Sequence, residues 1–281
     1  ALYVQNETRV TRWLIANAGL RYDRYEQFDR VTPRAAVIVL PSSSQSFKYL
    51  YGGAFRAPNE YELNETYFGA RVQALRPEDI DTHEFVWERY FNDRLRTAVS
   101  TYWYKADRLI TPTFDPDTLG QISFLNQGEV RAKGLELEGQ LRLGGESRAL
   151  VSYAVQRTAD RETNDELPNS PRHMAKVRVS LPGPANRSFV SVEGQYLSSR
   201  ATLPRPNLGG FVFATRVPQA ATLNVTMVQP LGQAWEVNGG VRNLFNARYA
   251  DPVSDQHLQA AVQQNGRTAR IGLTWKFQQA H

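Results

Sequence analysis

Apolar and polar residues alternate one by one through most of this chain. Leu95, Thr97, Val99, Thr101 and Trp103 alternate with Arg96, Ala98, Ser100 and Tyr102. Leu135, Leu137, Leu141 and Leu143 alternate with Glu136, Glu138, Gln140 and Arg142. Trp235, Val237, Gly239 and Val241 alternate with Glu236, Asn238, Gly240 and Arg242, and Ala269, Ile271, Leu273, Trp275 and Phe277 with Thr268, Arg270, Gly272, Thr274 and Lys276. Successive side chains of an extended chain point to opposite faces, so each segment predicts a strand with one apolar and one polar face. The segments run about 9–11 residues, the length a tilted strand needs to cross a bilayer. Strands of soluble sheets are shorter, about 5–6 residues.

The links between segments alternate as well. Short links rich in Asn, Asp, Gly and Pro are expected at Asn6–Thr11, Pro41–Gln45, Asn92–Asp93, Gly144–Glu146, Pro182–Asn186 and Pro230–Gln233. Longer links are expected at Arg24–Val31, Ala57–Ile80, Ala106–Gly128, Thr158–Arg172, Ser198–Ala220 and Leu244–Gly266. Short turns on one side and long loops on the other fit an outer-membrane barrel with the long loops facing outward. The reading is therefore all-β: a transmembrane, antiparallel, up-and-down barrel with about 13 strands, from Ala1–Glu7 to Arg267–Phe277. An odd number makes the end strands parallel, and parallel ends cannot close an antiparallel barrel without unpaired backbone in lipid. Ala1 begins inside a strand, with no start methionine, signal or preceding domain. The expectation is a piece of a larger barrel.

Composition changes this picture little. Mean hydropathy is −0.49, which a barrel with one polar face shares with soluble proteins. The longest aliphatic run, Ala35–Leu40, is far short of a membrane helix. The 13 Tyr, 13 Phe and 5 Trp suit interfacial girdles. Trp13, Tyr22, Phe85, Trp87, Tyr102, Trp103, Tyr104, Trp235 and Trp275 are assigned to strand ends or apolar faces. The absence of cysteine removes disulfides, Cys-ligated zinc and thiol chemistry. The net charge of +5 is spread along the chain, with no basic run that would suit nucleic acid.

Motifs then narrow the reading. Phe55-Arg56-Ala57-Pro58-Asn59 is followed by Glu60 and Leu63; Leu75-Arg76-Pro77-Glu78 by Ile80-Asp81-Thr82. Asn126, Gly128, Lys133-Gly134 and the Leu-Glu repeat at Leu135–Glu138 form a third element. Arg242-Asn243-Leu244-Phe245-Asn246 with Tyr249 is a fourth, and Trp275-Lys276-Phe277 a fifth. In this order and spacing, from Tyr49 to Phe277, they resemble the TonB-dependent outer-membrane receptors. The resemblance implies residues 1–281 as the C-terminal portion of a barrel of about 22 strands, without the plug domain that gates the pore and contacts TonB. It implies a bacterial outer-membrane location, no enzymatic activity and TonB-energised uptake of a scarce nutrient. The ligand class is most often a ferric siderophore, with haem, cobalamin, oligosaccharides and other metal chelates open. Implied partners are outer-membrane lipid, the TonB complex through the missing plug, and the barrel-assembly machinery, which reads the aromatic end. Here Gln278–His281 extend beyond Phe277, a departure from that pattern.

Candidate sites follow from residue type and place. Aromatic and arginine side chains in outward loops suit a flat, anionic, metal-bearing ligand through stacking and charge. The ligand-contact candidates are Arg56, Tyr61, Tyr67, Phe68, Arg71, Arg76, Phe114, Arg200, Arg205 and Phe211, with Phe124 and Phe213 as further loop aromatics. Pro58 and Asn59 also have a purely structural reading, as strand end and helix cap. Arg94, Arg96, Arg142, Arg178, Arg242 and Arg270 fall on polar faces and are expected to pair with carboxylates. Glu136 and Glu138 share one such face without the marks of an acid–base pair. His83, His173, His257 and His281 are too dispersed for a two-His metal site. No metal or cofactor is expected, and no phosphate loop, nucleophile elbow or zincin motif occurs. A passive porin-like channel and a barrel hydrolase are the alternatives.

Overall fold

A computed structural model of the chain describes residues 1–64, 74–115, 121–185, 187–206, 212–213, 215–254 and 257–277. The chain begins with β1 (Leu2–Thr11), β2 (Leu14–Arg24), β3 (Asp29–Ser42) and β4 (Gln45–Arg56), then a short helix α1 (Glu60–Asn64). Next come β5 (Glu78–Tyr90), β6 (Leu95–Asp107), the small hairpin β7 (Ile110–Asp115) and β8 (Gln121–Asn126), β9 (Val130–Gly144) and β10 (Ser147–Asp160). After β11 (His173–Pro182) and β12 (Phe189–Leu197), the short pieces β13 (Arg200–Ala201), β14 (Arg205–Pro206), β15 (Val212–Phe213) and β16 (Arg216–Val217) fill one link. The chain ends with β17 (Ala220–Leu231), β18 (Trp235–Arg242), the pair β19 (Ala250–Pro252) and β20 (Ala261–Gln263), and β21 (Thr268–Trp275).

Thirteen strands form one sheet in the order β1-β2-β3-β4-β5-β6-β9-β10-β11-β12-β17-β18-β21, which is not closed on itself. The order follows the chain, as an up-and-down meander requires. Among the described residues no helix is long and apolar enough to cross a membrane; this says nothing of crossing by strands.

Two expected links are corrected. Asn6–Thr11 is not a turn: β1 continues to Thr11, pairing Asn6 with Ala18 and Thr8 with Ala16, and the chain reverses at Arg12–Trp13. The turn signal of Asn6 is overridden there by a full strand partner. Arg24–Val31 is not a long link either. β2 and β3 pair up to Arg24 and Asp29, and the Tyr25 N–H donates to the Phe28 carbonyl at 2.9 Å in a tight reversal. The remaining links keep the expected alternation of short and long.

The molecule has two compact units. The first comprises Ala1–Trp87, Ser100–Gly134 and Arg157–Glu166. In it, register places Val4, Leu20 and Pro33 in one row and Ala16, Val37 and Tyr49 in another, while Gln5, Gly19, Arg34 and Gly52 line up on the opposite face. Tyr49 and His83 are joined by a 2.8 Å hydrogen bond, with Trp103 packed against His83. Tyr102 and Tyr104 depart from the expected girdle. Their rings stack on each other, and Tyr102 lies over Gly134 on the polar face of β9; a Cβ at Gly134 would meet the ring at 2.6 Å.

The second unit comprises Glu88–Val99, Leu135–Gln156 and Leu167–His281. Its apolar face carries Leu181, Val190, Met227, Gly239 and Ile271 in one row, and Leu231, Trp235 and Trp275 in another. Its polar face carries Arg148, Ser180, Ser191, Thr226, Gly240 and Arg270 in register.

The apolar faces are where the large hydrophobic side chains are exposed, including Val4 and Leu20 in the first unit and Leu137, Val151, Val177, Ile271 and Leu273 in the second. Among the described residues the buried apolar ones are Leu75, Ile110, Val217, four alanines and the prolines Pro77 and Pro252. A soluble domain buries its large aliphatic residues first; here the sheet turns them outward, as a protein does when lipid is the solvent on that side.

Candidate functional site

In the first unit the Phe55–Asn59 motif ends β4 and starts α1. Pro58 cannot continue the ladder, and Asn59 caps the helix: its Oδ1 accepts the Glu62 N–H at 2.9 Å, while Glu62 Oε2 accepts the Asn59 N–H at 2.9 Å. This is a reciprocal capping box. Phe55 packs edge-on against Tyr25 and Phe28, whose rings stack at 4.6 Å. Arg56 donates through Nε and Nη2 to the two oxygens of Glu78, each at 2.7 Å, and through Nη1 to Glu62 at 3.0 Å. The fork matches a carboxylate in geometry as well as charge. Glu78 also accepts the Ile110 N–H at 2.7 Å, so Arg56 and Glu78 tie β4, α1 and β7 together.

The next motif is held the same way. Asn126 accepts the Arg76 N–H at 2.6 Å and donates to the carbonyls of Arg76 and Arg108 at 2.7 and 2.8 Å. Leu75 and Pro77 are buried on either side of Arg76, whose own side chain points outward. Asp79 pairs with Arg108 and, at 3.3 Å, with Arg30. Burial, then the neighbouring Arg30 and Arg76, push the Arg108 guanidinium below its ordinary pKa. Tyr61 is 56% exposed and meets Phe124 edge-on at 5.6 Å.

The last link of the first unit carries a pH-sensitive pair. Glu129 and Arg161 form an ion pair, and the Arg161 N–H donates to the Glu129 carbonyl at 2.8 Å. The Arg161 hydrogen bond holds the Glu129 carboxyl below its usual range. A lowered carboxylate contributes stability that is complete above its unfolded pKa, about 4.3, and is lost as pH falls through its lower folded value. Hydrogen exchange at the Arg161 amide is therefore expected to accelerate beyond its intrinsic pH trend as acid protonates Glu129. Glu129→Gln is expected to abolish that acid-dependent component, and its persistence in the variant would count against the pair.

In the second unit the Arg242–Asn246 motif makes a turn. Asn243 is buried with φ of 50° and Asn246 has φ of 54°, left-handed positions that Asn tolerates better than other residues with a Cβ. Asn243 Oδ1 accepts the Ala247 N–H at 2.8 Å, and its Nδ2 donates to the carbonyls of Ala247 and Asn265 at 2.9 and 3.3 Å. Asn246 Oδ1 accepts the Arg267 N–H at 2.9 Å. Leu244 bonds back to Leu223, Tyr249 accepts from Gln264 and Gln263, and Phe245 is left 76% exposed. Phe277 is also exposed and lies against Trp275, which stacks on Trp235.

Arg200 sits elsewhere in this unit, 5% exposed. Its Nη2 donates to Asp251 at 2.7 Å and to the Ala250 carbonyl at 3.1 Å, and its Nη1 to Asn169 at 3.1 Å. The polar face of the unit carries further ion pairs. Arg96 bridges Glu88 and Glu138 at 2.6 Å each, and Arg178 pairs with Glu193 at 2.6 Å. Beside them lies a groove of about 720 Å³ that Arg94, Arg142, Arg148 and Tyr90 help to line.

The ligand-contact candidates thus occupy different environments. Tyr61 and Arg76 present their side chains outward, whereas Arg56 and Arg200 are engaged by carboxylates. Phe114 and Arg205 are placed as strand backbone in β7 and β14. Tyr67, Phe68, Arg71, Phe211 and the Gln278–His281 extension lie outside the described residues. Glu78, Asn169 and Asp251 carry organising roles that residue type alone did not mark; of these, only Glu78 stood inside a motif. Among the described residues no group of three or more His, Asp or Glu side chains is arranged to hold a metal ion.

The arrangement is that of a sheet wall with internally braced links, and comparisons with known proteins agree. A family model described as TonB dependent receptor-like, beta-barrel, matches residues 1–244. No curated protein sequence matches the chain significantly. Solved structures similar in fold include the FrpB iron transporter of Neisseria meningitidis (F3-3 variant; TM-score 0.79, 18% identity, 98% of this chain and 44% of that one). The pyoverdine outer-membrane receptor FpvA of Pseudomonas aeruginosa PAO1, bound to pyoverdine, has a TM-score of 0.80 at 13% identity, covering 98% of this chain and 41% of that one. The ferric-catecholate import receptor Fiu of E. coli K12 has a TM-score of 0.76 at 12% identity, covering 98% and 44%. The chain spans less than half the length of each. It belongs to the family of TonB-dependent receptor β-barrels.

Proposed function

We propose that this chain is the C-terminal portion of an outer-membrane receptor that takes up a ferric siderophore with energy delivered through TonB. The observation that carries the reading is the family match over a thirteen-strand antiparallel sheet whose apolar and polar residues are sorted to opposite faces. Residues 1–281 supply barrel wall and outward links; a plug domain elsewhere in the receptor contacts TonB. The apolar face meets outer-membrane lipid and the polar face lines the lumen. No covalent bond is made or broken. The family is one of receptors and transporters, and the similar structures FrpB, FpvA and Fiu are described as an iron transporter, a pyoverdine receptor and a ferric-catecholate import receptor.

Capture requires contact groups that are free to move onto a ligand. Tyr61 offers a ring face and Arg76 a guanidinium without a side-chain partner among the described residues, the pairing that suits a flat anionic chelate. Tyr67, Phe68, Arg71, Phe114, Arg205 and Phe211 are further proposed contacts, by residue type and by their place in the long links of the sequence. Arg56 acts by shaping the link through Glu78 and Glu62.

The test is uptake of radiolabelled iron by cells whose only receptor is the full-length protein, presented in turn with catecholate, hydroxamate and pyoverdine-type chelates. Saturable uptake of one class, abolished by deleting TonB, is the expected result. Uptake that survives TonB deletion would identify a passive channel, and no uptake of any chelate class would overturn the siderophore reading.

A further inference from the structure

Arg200 has the type and place of a ligand contact but not the exposure, and both of its terminal nitrogens are engaged. Its side chain is 6% exposed. Its partners come from two links far away in sequence: Asn169 is 31 residues before it, and Ala250 and Asp251 are 50 and 51 residues after it. Arg200 itself lies in a third link, where β13 pairs with β16. The junction is reinforced beside the guanidinium. Asn169, held at φ of 55°, donates its N–H to the Ala201 carbonyl at 2.9 Å. Thr202 is 2% exposed and bonds to the Thr215 carbonyl through both its N–H and its hydroxyl.

We infer that Arg200 is a positioning residue that locks these three links into a single opening unit. The reason is the cost of an unpaired buried charge. Among the described residues Asp251 is the one carboxylate that bonds Arg200, and Arg200 Nε has no partner. A guanidinium this buried cannot exchange a lost partner for water without exposure of its surroundings. If the segment around Asp251 swings away, Ala250 leaves with it and the buried cation keeps Asn169 as its one neutral acceptor, so the segments around Asn169 and Thr202 open with it to hydrate the charge. Motion that would be local at three solvated loops becomes collective. The relevance to capture rests on the receptor reading, in which these links face the ligand; the coupling itself does not.

Hydrogen exchange followed by mass spectrometry on the full-length receptor in detergent tests this without any ligand. The amides read are those of Asn169, Thr202 and Gln264, one in each link. Across a denaturant series the three are expected to merge onto one opening isotherm. Asn169→Ala, which removes an acceptor from the first link only, is expected to speed exchange at Thr202 and Gln264 by about tenfold or more, the scale of a lost hydrogen bond to a charged group. A locally structural Arg200 predicts acceleration confined to the substituted link. That result, or three separate isotherms in the unsubstituted protein, would overturn the proposal, and the isotherms decide it even if the variant fails to assemble. Failure of iron uptake would leave this result standing, so the two readings fail separately.

Discussion

Replacing Leu137 by arginine is expected to impair assembly of the sheet into the outer membrane, at a cost of about 2–4 kcal/mol for a charge near the bilayer midplane. Leu137 belongs to the row of β9 side chains, Leu135 to Leu143, that the sheet turns outward, and it is 40% exposed. Its neighbour Glu138 is on the other face, where it accepts from Arg96 and Gln140 at 2.6 and 3.1 Å. Glu138→Gln keeps an acceptor for Arg96, which retains Glu88 as its charge partner, so assembly is expected to stay close to unchanged. Val237→Arg is expected to follow Leu137→Arg: Val237 is in register with Leu273, on the face that also exposes Ile271 and Trp275. Thr274→Ser, on the polar face, is expected to follow Glu138→Gln. The measurement is the heat-modifiable gel mobility of the folded barrel extracted from outer membranes. Equal folded fractions for the two classes would mean the lipid face has been assigned wrongly.

The second large effect is expected at Asn243. Asn243→Ala removes three side-chain hydrogen bonds from a residue that is 4% exposed, leaving the Ala247 N–H and two carbonyls short of a partner. An unmet buried group costs about 1–3 kcal/mol, less at Ala247 and Asn265, which are half-buried and exposed and can turn to water, and alanine adds about 1–2 kcal/mol for the left-handed backbone. Partial relaxation of the turn brings the expected loss to about 3 kcal/mol. Asn243→Gly separates the two contributions: it relieves the backbone but not the missing bonds, and is expected to recover about 1 kcal/mol. Urea unfolding of the detergent-refolded receptor measures both. Equal stability of the alanine variant and the unsubstituted protein would show that the side-chain bonds of Asn243 do not hold the turn.

The strands were legible because two solvents impose one rule. With lipid on one face and polar surroundings on the other, each residue of β9 or β21 is assigned by parity, and the chain repeats the rule thirteen times. Sequence and structure differ where local turn residues sit inside a continuous ladder, as at Asn6, and where a reversal is tighter than its polar sequence suggests, as at Tyr25–Phe28. The links were legible only in their motifs. Asn59 and Glu62 are three residues apart and announce their capping box. Asn126 and Arg76 are separated by 50 residues, and Arg200 and Asp251 by 51; their bonds depend on strands that first bring the ends together. Residue type and place therefore give Arg56 and Arg200 as ligand-contact candidates, and the carboxylates that engage them are not visible from the sequence.

The ladder itself has a mechanical consequence. Each interior strand of the sheet shares hydrogen bonds with neighbours on both sides, and in hydrocarbon no water can replace a bond that breaks. Sliding or peeling a single strand would forfeit many bonds at once, so the wall is a stiff, passive frame. Compliance is confined to what the frame carries: the links braced by single side chains, and whatever occupies the polar side. In the proposed receptor, a transport cycle built on such a frame would move its contents past a wall that stands still.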